Sequence, residues 1–156
     1  GVIYERTHDR TLAKMGGLGG PVPVYAAAFG FFVFASVGLP GLSGFVGEFL
    51  TLLGTFESGN YAAAAIATFV MILAAGYLLW MFQRVAFGDL SEFLKGLGHH
   101  LTDLRPVEAM TLVPLGVLVV VFGLWPGLIL NLIAGSVDYA LAAVSQASPI
   151  ALGLWR

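Results

Sequence analysis

The chain has 156 residues, of which 58% are hydrophobic and only 10% are charged, with a formal net charge of -2 and no cysteine. A soluble domain usually carries about 25% charged residues, so a soluble globule of this composition would expose large apolar patches. The composition therefore predicts a membrane protein. The few scattered basic residues argue against a nucleic-acid partner. The absence of cysteine excludes thiolate-bound zinc or iron–sulfur sites in this chain.

The first 20 residues begin with a short apolar stretch that becomes charged over Glu5–Lys14. This pattern predicts the end of a preceding helix followed by a cytoplasmic loop, so we interpret the chain as part of a longer protein. The glycine-rich run Gly16–Gly20 lacks the strand and helix context of a phosphate-binding loop. We interpret it as a flexible turn before the next helix.

The next predicted element, residues 21–57, is apolar and is interrupted by proline and glycine at residues 39–44. As one straight helix, the 35 residues Val22–Phe56 would be about 52 Å long, whereas the hydrocarbon core is about 30 Å thick. Two interpretations remain: two separate spans, or one discontinuous transmembrane helix. Basic loops on both sides of the pair 21–57 and 61–83 favour the second, because positive loops lie in the cytoplasm and two crossings return the chain to the same side.

The later elements follow from the lengths of the apolar stretches and from their flanking residues. Tyr61 and Trp80 lie near the two ends of one stretch, as expected of an interfacial aromatic belt. Asn131 and Asp138 make the last apolar stretch more polar than a typical span, so an interfacial helix is predicted there. The predicted elements are a transmembrane helix over 61–83, a cytoplasmic loop over 84–106, a transmembrane helix over 107–126, and a C-terminal interfacial helix and tail over 127–156.

Glu48 is the charged residue that the apolar pattern does not explain. Counted back from Phe56 by helical rise, it lies about 12 Å inside the helix end, near the middle of the bilayer. Intramembrane carboxylates are costly and usually mark ion or proton pathways, and burial favours the neutral form of a carboxyl group. Glu48 is therefore the candidate catalytic residue, a carboxylate that takes up and releases a proton.

Other polar and helix-breaking residues surround Glu48 in the sequence. Thr51 and Thr55 share a helix face with it, and Ser43 lies in the interruption, so their hydroxyls are predicted to support a proton path by ordering water. In the alternative interpretation the hydroxyls only bond back to helix carbonyls and the interruption is a simple kink. No metal site is predicted. The residues predicted to form the helix break are Leu39, Pro40, Gly41 and Gly44.

The run FASVGLPGLSGFVGEFLTLLGTF (Phe34–Phe56) resembles the discontinuous helix of the antiporter-like subunits of respiratory complex I. The opening GVIYERTHDR and the later YLLWMFQRVAFG (Tyr77–Gly88) resemble the M type of these subunits, found in bacterial NADH:quinone oxidoreductase and corresponding to mitochondrial subunit 4. The resemblance weakens after Pro126. Its most specific part is GLPGLSGFVGEF.

The resemblance implies an all-α, polytopic membrane protein with an antiporter-like helical bundle. Members of the family have two inverted bundles, each with one discontinuous helix, and this chain would be the C-terminal part with the second. The resemblance also implies that Glu48, in the GEF context, is a proton-channel residue; related subunits carry a lysine there. No cofactor is expected in this chain, because NADH, flavin, iron–sulfur clusters and quinone would be bound by partner subunits. The expected surroundings are other membrane subunits of complex I and the lipid bilayer of a bacterial inner membrane.

The expected function is proton translocation by a membrane subunit of NADH:quinone oxidoreductase, coupled to quinone reduction elsewhere in the complex. The first alternative is a subunit of a multi-subunit Na⁺/H⁺ antiporter. Others are an ancillary subunit of a hydrogenase-type complex and a purely structural element with an inert Glu48. Peripheral flavin and iron–sulfur centres would distinguish the redox enzymes from the antiporter.

Overall fold

The computed structural model describes residues 2–98 and 101–152, which form α-helices joined by turns, with no strand in these ranges. The prediction of an all-α, polytopic membrane fold is confirmed. The chain divides into two compact units, Gly1–Leu124 and Trp125–Arg156. The helices are α1 (Val2–Thr7), α2 (Pro23–Ser36), α3 (Ser43–Glu57), α4 (Tyr61–Ala86), α5 (Glu92–Leu97), α6 (Pro106–Leu124) and α7 (Gly127–Leu152).

Three stretches among the described residues are long and apolar enough to cross a bilayer: α4, α6 and the Gly127–Val144 part of α7. The shorter α2 is also apolar. Large apolar side chains cover their outer surfaces; Ile66 of α4 and Met110 of α6, for example, are 65% and 74% exposed. Such surfaces require lipid or neighbouring helices, because water would not solvate them.

The helices α2 and α3 lie one after the other along α4. In α2 the Phe34 ring contacts Phe82 near the end of α4, with ring centroids 6.0 Å apart. At the end of α3 the Phe56 ring contacts Tyr61, the first residue of α4, at 5.0 Å. Since α4 runs antiparallel to the pair, this is the arrangement that one interrupted span requires.

The interruption lies at residues 37–42, two residues earlier than the predicted 39–44. Ser43 and Gly44 belong to the first turn of α3 instead of the break. The correction has a steric cause: a methyl group on Gly44 would overlap the carbonyl oxygen of Ala35. Gly44 therefore serves as the residue through which α3 approaches the end of α2, not as a helix breaker.

The loop before α2 and the loop after α4 pack together at one end of the unit. Leu18 and Gly19 donate their N–H groups to the carbonyls of Val85 and Ala86, over 3.0 and 2.9 Å. Leu18 is 1% exposed, and a methyl group on Gly17 would lie 2.6 Å from the Leu90 nitrogen. The predicted turn over Gly16–Gly20 is present, and its glycines also allow backbone to pack on backbone.

The described part of the C-terminal unit consists mainly of one long helix. The sequence predicted an interfacial helix and a tail over 127–156, whereas α7 continues from Gly127 to Leu152. Its first part satisfies the length and composition of a membrane span despite Asn131 and Asp138. The interfacial placement stays a prediction.

Candidate functional site

The α2 helix ends in a glycine turn. Gly38 adopts the left-handed conformation, with φ of +82°, and the next N–H, of Leu39, donates to the Phe34 carbonyl over 3.1 Å. This is the hydrogen bond of a Schellman motif, in which glycine is preferred because a left-handed residue with a Cβ is strained. The turn satisfies one of the carbonyls left free at the helix end.

A second turn leads from α2 into α3. The Leu39 carbonyl accepts a hydrogen bond from the Leu42 N–H over 3.1 Å. Pro40 and Gly41 occupy the two central positions, and Gly41 has φ of +94°. Proline followed by a left-handed glycine defines a type II turn. Of the predicted break residues, Leu39, Pro40 and Gly41 therefore do form the interruption.

Glu48 lies five residues after Ser43, the first residue of α3. Helical side chains point toward the N-terminus, so its carboxylate reaches back to the interruption. There it contacts Gly38: a methyl group on Gly38 would overlap Oε2 and lie 3.1 Å from Cδ. The side chain is half-buried and has no hydrogen-bond or ion-pair partner among residues 2–98 and 101–152.

The hydroxyls of Thr51 and Thr55 donate hydrogen bonds to the carbonyls one turn earlier, those of Gly47 and Thr51, over 2.8 and 2.7 Å. This is the back-bonding of the alternative interpretation. Each hydroxyl oxygen keeps lone pairs that can accept from water. Ser43, at the start of α3, has no side-chain hydrogen bond within the described part of the chain.

The end of α6 packs on the interruption through Gly123. A methyl group on Gly123 would lie 2.5 Å from the Leu42 Cα and would overlap the Gly41 carbonyl oxygen. Two turns earlier in α6, a methyl group on Gly116 would make an ordinary contact with the Phe31 ring of α2, 3.5 Å from its Cε1. The unwound backbone is thus covered on one side by a helix, as buried irregular backbone in a membrane must be.

A charged network that the sequence did not predict joins α1 to the start of α6. The Arg6 guanidinium donates to both carboxylate oxygens of Glu108, over 3.0 and 2.8 Å. It also donates to the carbonyls of Thr102 and Asp103, over 2.6 and 2.9 Å. The side chains of Arg6 and Glu108 are only 5% and 15% exposed, and such bidentate pairs are the strong form of the arginine–carboxylate bond.

Asp103 caps α2 from a distant part of the chain. Its carboxylate accepts hydrogen bonds from the N–H groups of Val24 and Tyr25, both over 2.9 Å, and from Leu104 over 2.7 Å. Burial alone would raise the pKa of Asp103. The three donors and the nearby Arg6 lower it by a larger amount, so the pKa lies below its ordinary value. The local N-cap of α2, Val22, offers no side-chain bond, so Asp103 replaces it.

Only one part of this network has a local signal in the sequence. Glu108 accepts from the Arg105 N–H over 2.8 Å, and an acidic residue three positions after the residue that precedes a helix typifies half of a capping box. Nothing in the spacing of Arg6 or Asp103 indicates which segments they contact. Within the described ranges, no three His, Asp or Glu side chains are placed to hold a metal ion.

The comparisons with known proteins agree on one family. A family model described as NADH:quinone oxidoreductase/Mrp antiporter, TM, matches residues 1–74. Subunit M of the NADH-quinone oxidoreductase of Rhodobacter capsulatus is 46% identical over 140 residues, which is 89% of this chain and 26% of that protein. Subunit M of Mycobacterium tuberculosis is 36% identical over 149 residues, 96% of this chain and 26% of the relative.

A solved structure gives the same result at the level of the fold. A chain of respiratory complex I from Thermus thermophilus with bound NADH superimposes with a TM-score of 0.68 and 35% identity, over 83% of this chain and 26% of that one. This chain thus spans about a quarter of the length of the curated relatives it matches.

The family and the apolar helices confirm the predicted location, a multi-pass protein of a bacterial inner membrane. The chain therefore belongs to the family of antiporter-like membrane subunits that includes subunit M of bacterial NADH-quinone oxidoreductase.

Proposed function

We propose that the protein carrying this chain is a proton-translocating membrane subunit of NADH:quinone oxidoreductase, respiratory complex I. The observation that carries the proposal is the position of Glu48, a half-buried carboxylate directed at an interrupted helix, without a partner among the described residues. The ionised form of a carboxyl group is costly in an apolar setting. A site with that cost is more readily explained by proton transfer than by packing.

In this proposal Glu48 accepts a proton from the polar interior of the full-length subunit and passes it to water. The hydroxyls of Thr51, Thr55 and Ser43 order that water through their lone pairs, which stay available although both threonines donate to the backbone. Quinone reduction elsewhere in the complex drives the cycle by changing the proton affinity of Glu48 between conformational states.

The redox chemistry is assigned to other subunits. NADH, flavin, iron–sulfur clusters and quinone bind to partner subunits, and this chain contributes no redox centre. Its own partners are the neighbouring membrane subunits and the bilayer, and no nucleic acid. The exposed apolar surfaces of α4 and α6 support such neighbours.

A second candidate is a subunit of a multi-subunit Na⁺/H⁺ antiporter. The observation that favours it is the description of the matching family, which includes the Mrp antiporter beside the oxidoreductase. Glu48 would then carry a proton against a sodium ion, without an electron donor.

The test is proton pumping by inverted membrane vesicles that contain the full-length protein with Glu48→Gln. Glutamine keeps the size of the side chain but cannot release a proton. We expect the NADH-driven pH gradient to disappear while the complex stays assembled. Thr51→Val should slow pumping several-fold, whereas Thr51→Ser, which keeps the hydroxyl, should not.

The matched control is Glu92→Gln, which removes an 89% exposed carboxylate outside the spans and should leave pumping unchanged. Normal pumping by Glu48→Gln would contradict the proposal and favour a structural role. If wild-type vesicles exchange Na⁺ for protons without an electron donor, the antiporter function replaces the redox pump.

A further inference from the structure

Two glycines in the interruption have the same backbone conformation but different surroundings. Gly38 and Gly41 are both left-handed, with φ of +82° and +94°. A methyl group on Gly41 would make only an ordinary contact, 3.8 Å from a Leu124 methyl carbon. A methyl group on Gly38 would occupy the position of the Glu48 carboxylate. Backbone strain alone therefore explains glycine at position 41, whereas Gly38 also makes room for a side chain.

We propose that Gly38 is a positioning residue for Glu48: it provides the space that holds the carboxylate against the interruption. This inference rests on the proton-transfer role proposed for Glu48. Gly38 contacts neither substrate nor proton and acts only through the carboxylate.

The position matters because of the two helix ends that meet there. The C-terminal end of α2 carries a partial negative charge and the N-terminal end of α3 a partial positive charge. The N-cap of α3, Leu42, offers no side-chain bond to the first N–H groups of that helix, so their positive end is not neutralised by a cap. A carboxylate beside Gly38 therefore lies close to both helix ends.

A side chain at position 38 would push the carboxylate away from this place. The Cβ would lie 3.1 Å from Cδ of Glu48 and closer still to Oε2. The neighbouring Gly47, on the same turn of α3, has open space around its Cα, and the face of α3 near it is exposed. The Glu48 side chain can therefore rotate away from the interruption toward that face, which takes the carboxylate away from the two helix ends.

The experiment compares Gly38→Ala with Gly41→Ala in the full-length protein, by NADH-driven proton pumping in inverted vesicles at several pH values. Both variants replace a left-handed glycine of the same segment, but only Gly38→Ala displaces Glu48. We expect the pH midpoint of pumping to shift in Gly38→Ala and to stay at the wild-type value in Gly41→Ala, because only the first variant moves the carboxylate away from the two helix ends.

The rescue variant is Gly38→Ala combined with Glu48→Asp, because aspartate is one methylene shorter and withdraws from the new methyl group. Restoration of the midpoint or of assembly by this second change supports the positioning role. Equal pH profiles for Gly38→Ala and Gly41→Ala overturn it, and so does a Gly38→Ala protein whose failure to assemble is not relieved by Glu48→Asp. Loss of pumping in Glu48→Gln leaves the proposed function standing in either case, so the two failures are distinguishable.

Discussion

Arg6 and Glu108 form a bidentate ion pair, with N–O distances of 3.0 and 2.8 Å, which connects α1 to the first turn of α6. The guanidinium is almost fully enclosed, and its remaining donors reach backbone carbonyls. Because every Arg6 nitrogen has an acceptor, the burial of its charge is compensated only while this arrangement is intact.

Glu108→Ala should therefore destabilise the protein strongly. It leaves the Arg6 charge enclosed without its carboxylate, which costs about 3–5 kcal/mol for a buried pair, and the lower end applies because Glu108 keeps some exposure. The measurement is the apparent melting temperature of the detergent-purified full-length protein or its complex. Lys95→Ala is the control, since it breaks the exposed Lys95–Glu92 pair. Equal melting temperatures for the two variants would contradict the role of Arg6 and Glu108.

Asp103→Ala should loosen the start of α2. The carboxylate accepts from the Val24 and Tyr25 N–H groups, and the loss of an N-cap typically costs about 1 kcal/mol. Faster hydrogen–deuterium exchange at these two amides is the direct measurement. Asp89→Asn, at an exposed position that lacks a side-chain hydrogen bond in the described ranges, should leave the exchange unchanged. Unchanged exchange in Asp103→Ala would show that the cap does not form in solution.

Asp103 should also make stability depend on pH in the acid range. Its pKa is lower in the folded protein than the ordinary value of 3.8. Its full contribution to the free energy of unfolding is therefore present above that pH, where the carboxyl group is ionised in both the folded and the unfolded chain. As the pH falls below 3.8, the unfolded chain binds a proton before the folded one does, and the free energy of unfolding decreases. Melting temperatures measured between about pH 6 and pH 3 should fall less steeply in Asp103→Asn than in the wild type. Parallel curves would contradict this assignment.

The elements that could be predicted from the sequence are those with a local signal. The lengths of the apolar stretches give α4 and α6, and Pro40 with Gly41 gives the turn between α2 and α3, since proline and glycine restrict or free the backbone wherever they occur. Glu48 was identifiable because a charge in an apolar stretch is costly irrespective of its neighbours. Its role as a proton carrier stays a prediction.

What the sequence did not predict depends on contacts between distant segments. Arg6 and Glu108 are 102 positions apart, and Asp103 is 79 positions from Val24, whose N–H it caps. No periodic pattern encodes such pairs. The packing role of Gly16–Gly20 was not predicted for the same reason. Its glycines have the composition of a flexible turn, and only the backbone of residues 85–90 packed against them shows why side chains are excluded.

The close approach of α6 to the interruption gives a prediction with an internal control. Gly123→Ala would place a methyl group within 2.5 Å of the Leu42 Cα, so α6 or the turn must move, at a cost of about 1–3 kcal/mol. Gly116→Ala, on the same helix, meets only the Phe31 ring at 3.5 Å and should be neutral or stabilise the helix by up to about 1 kcal/mol. The melting temperature of the full-length protein should fall in the first variant and hold or rise in the second. A common response would mean that α6 does not cover the unwound backbone in the assembled protein, and the interruption would then need a different neighbour to shield it from lipid.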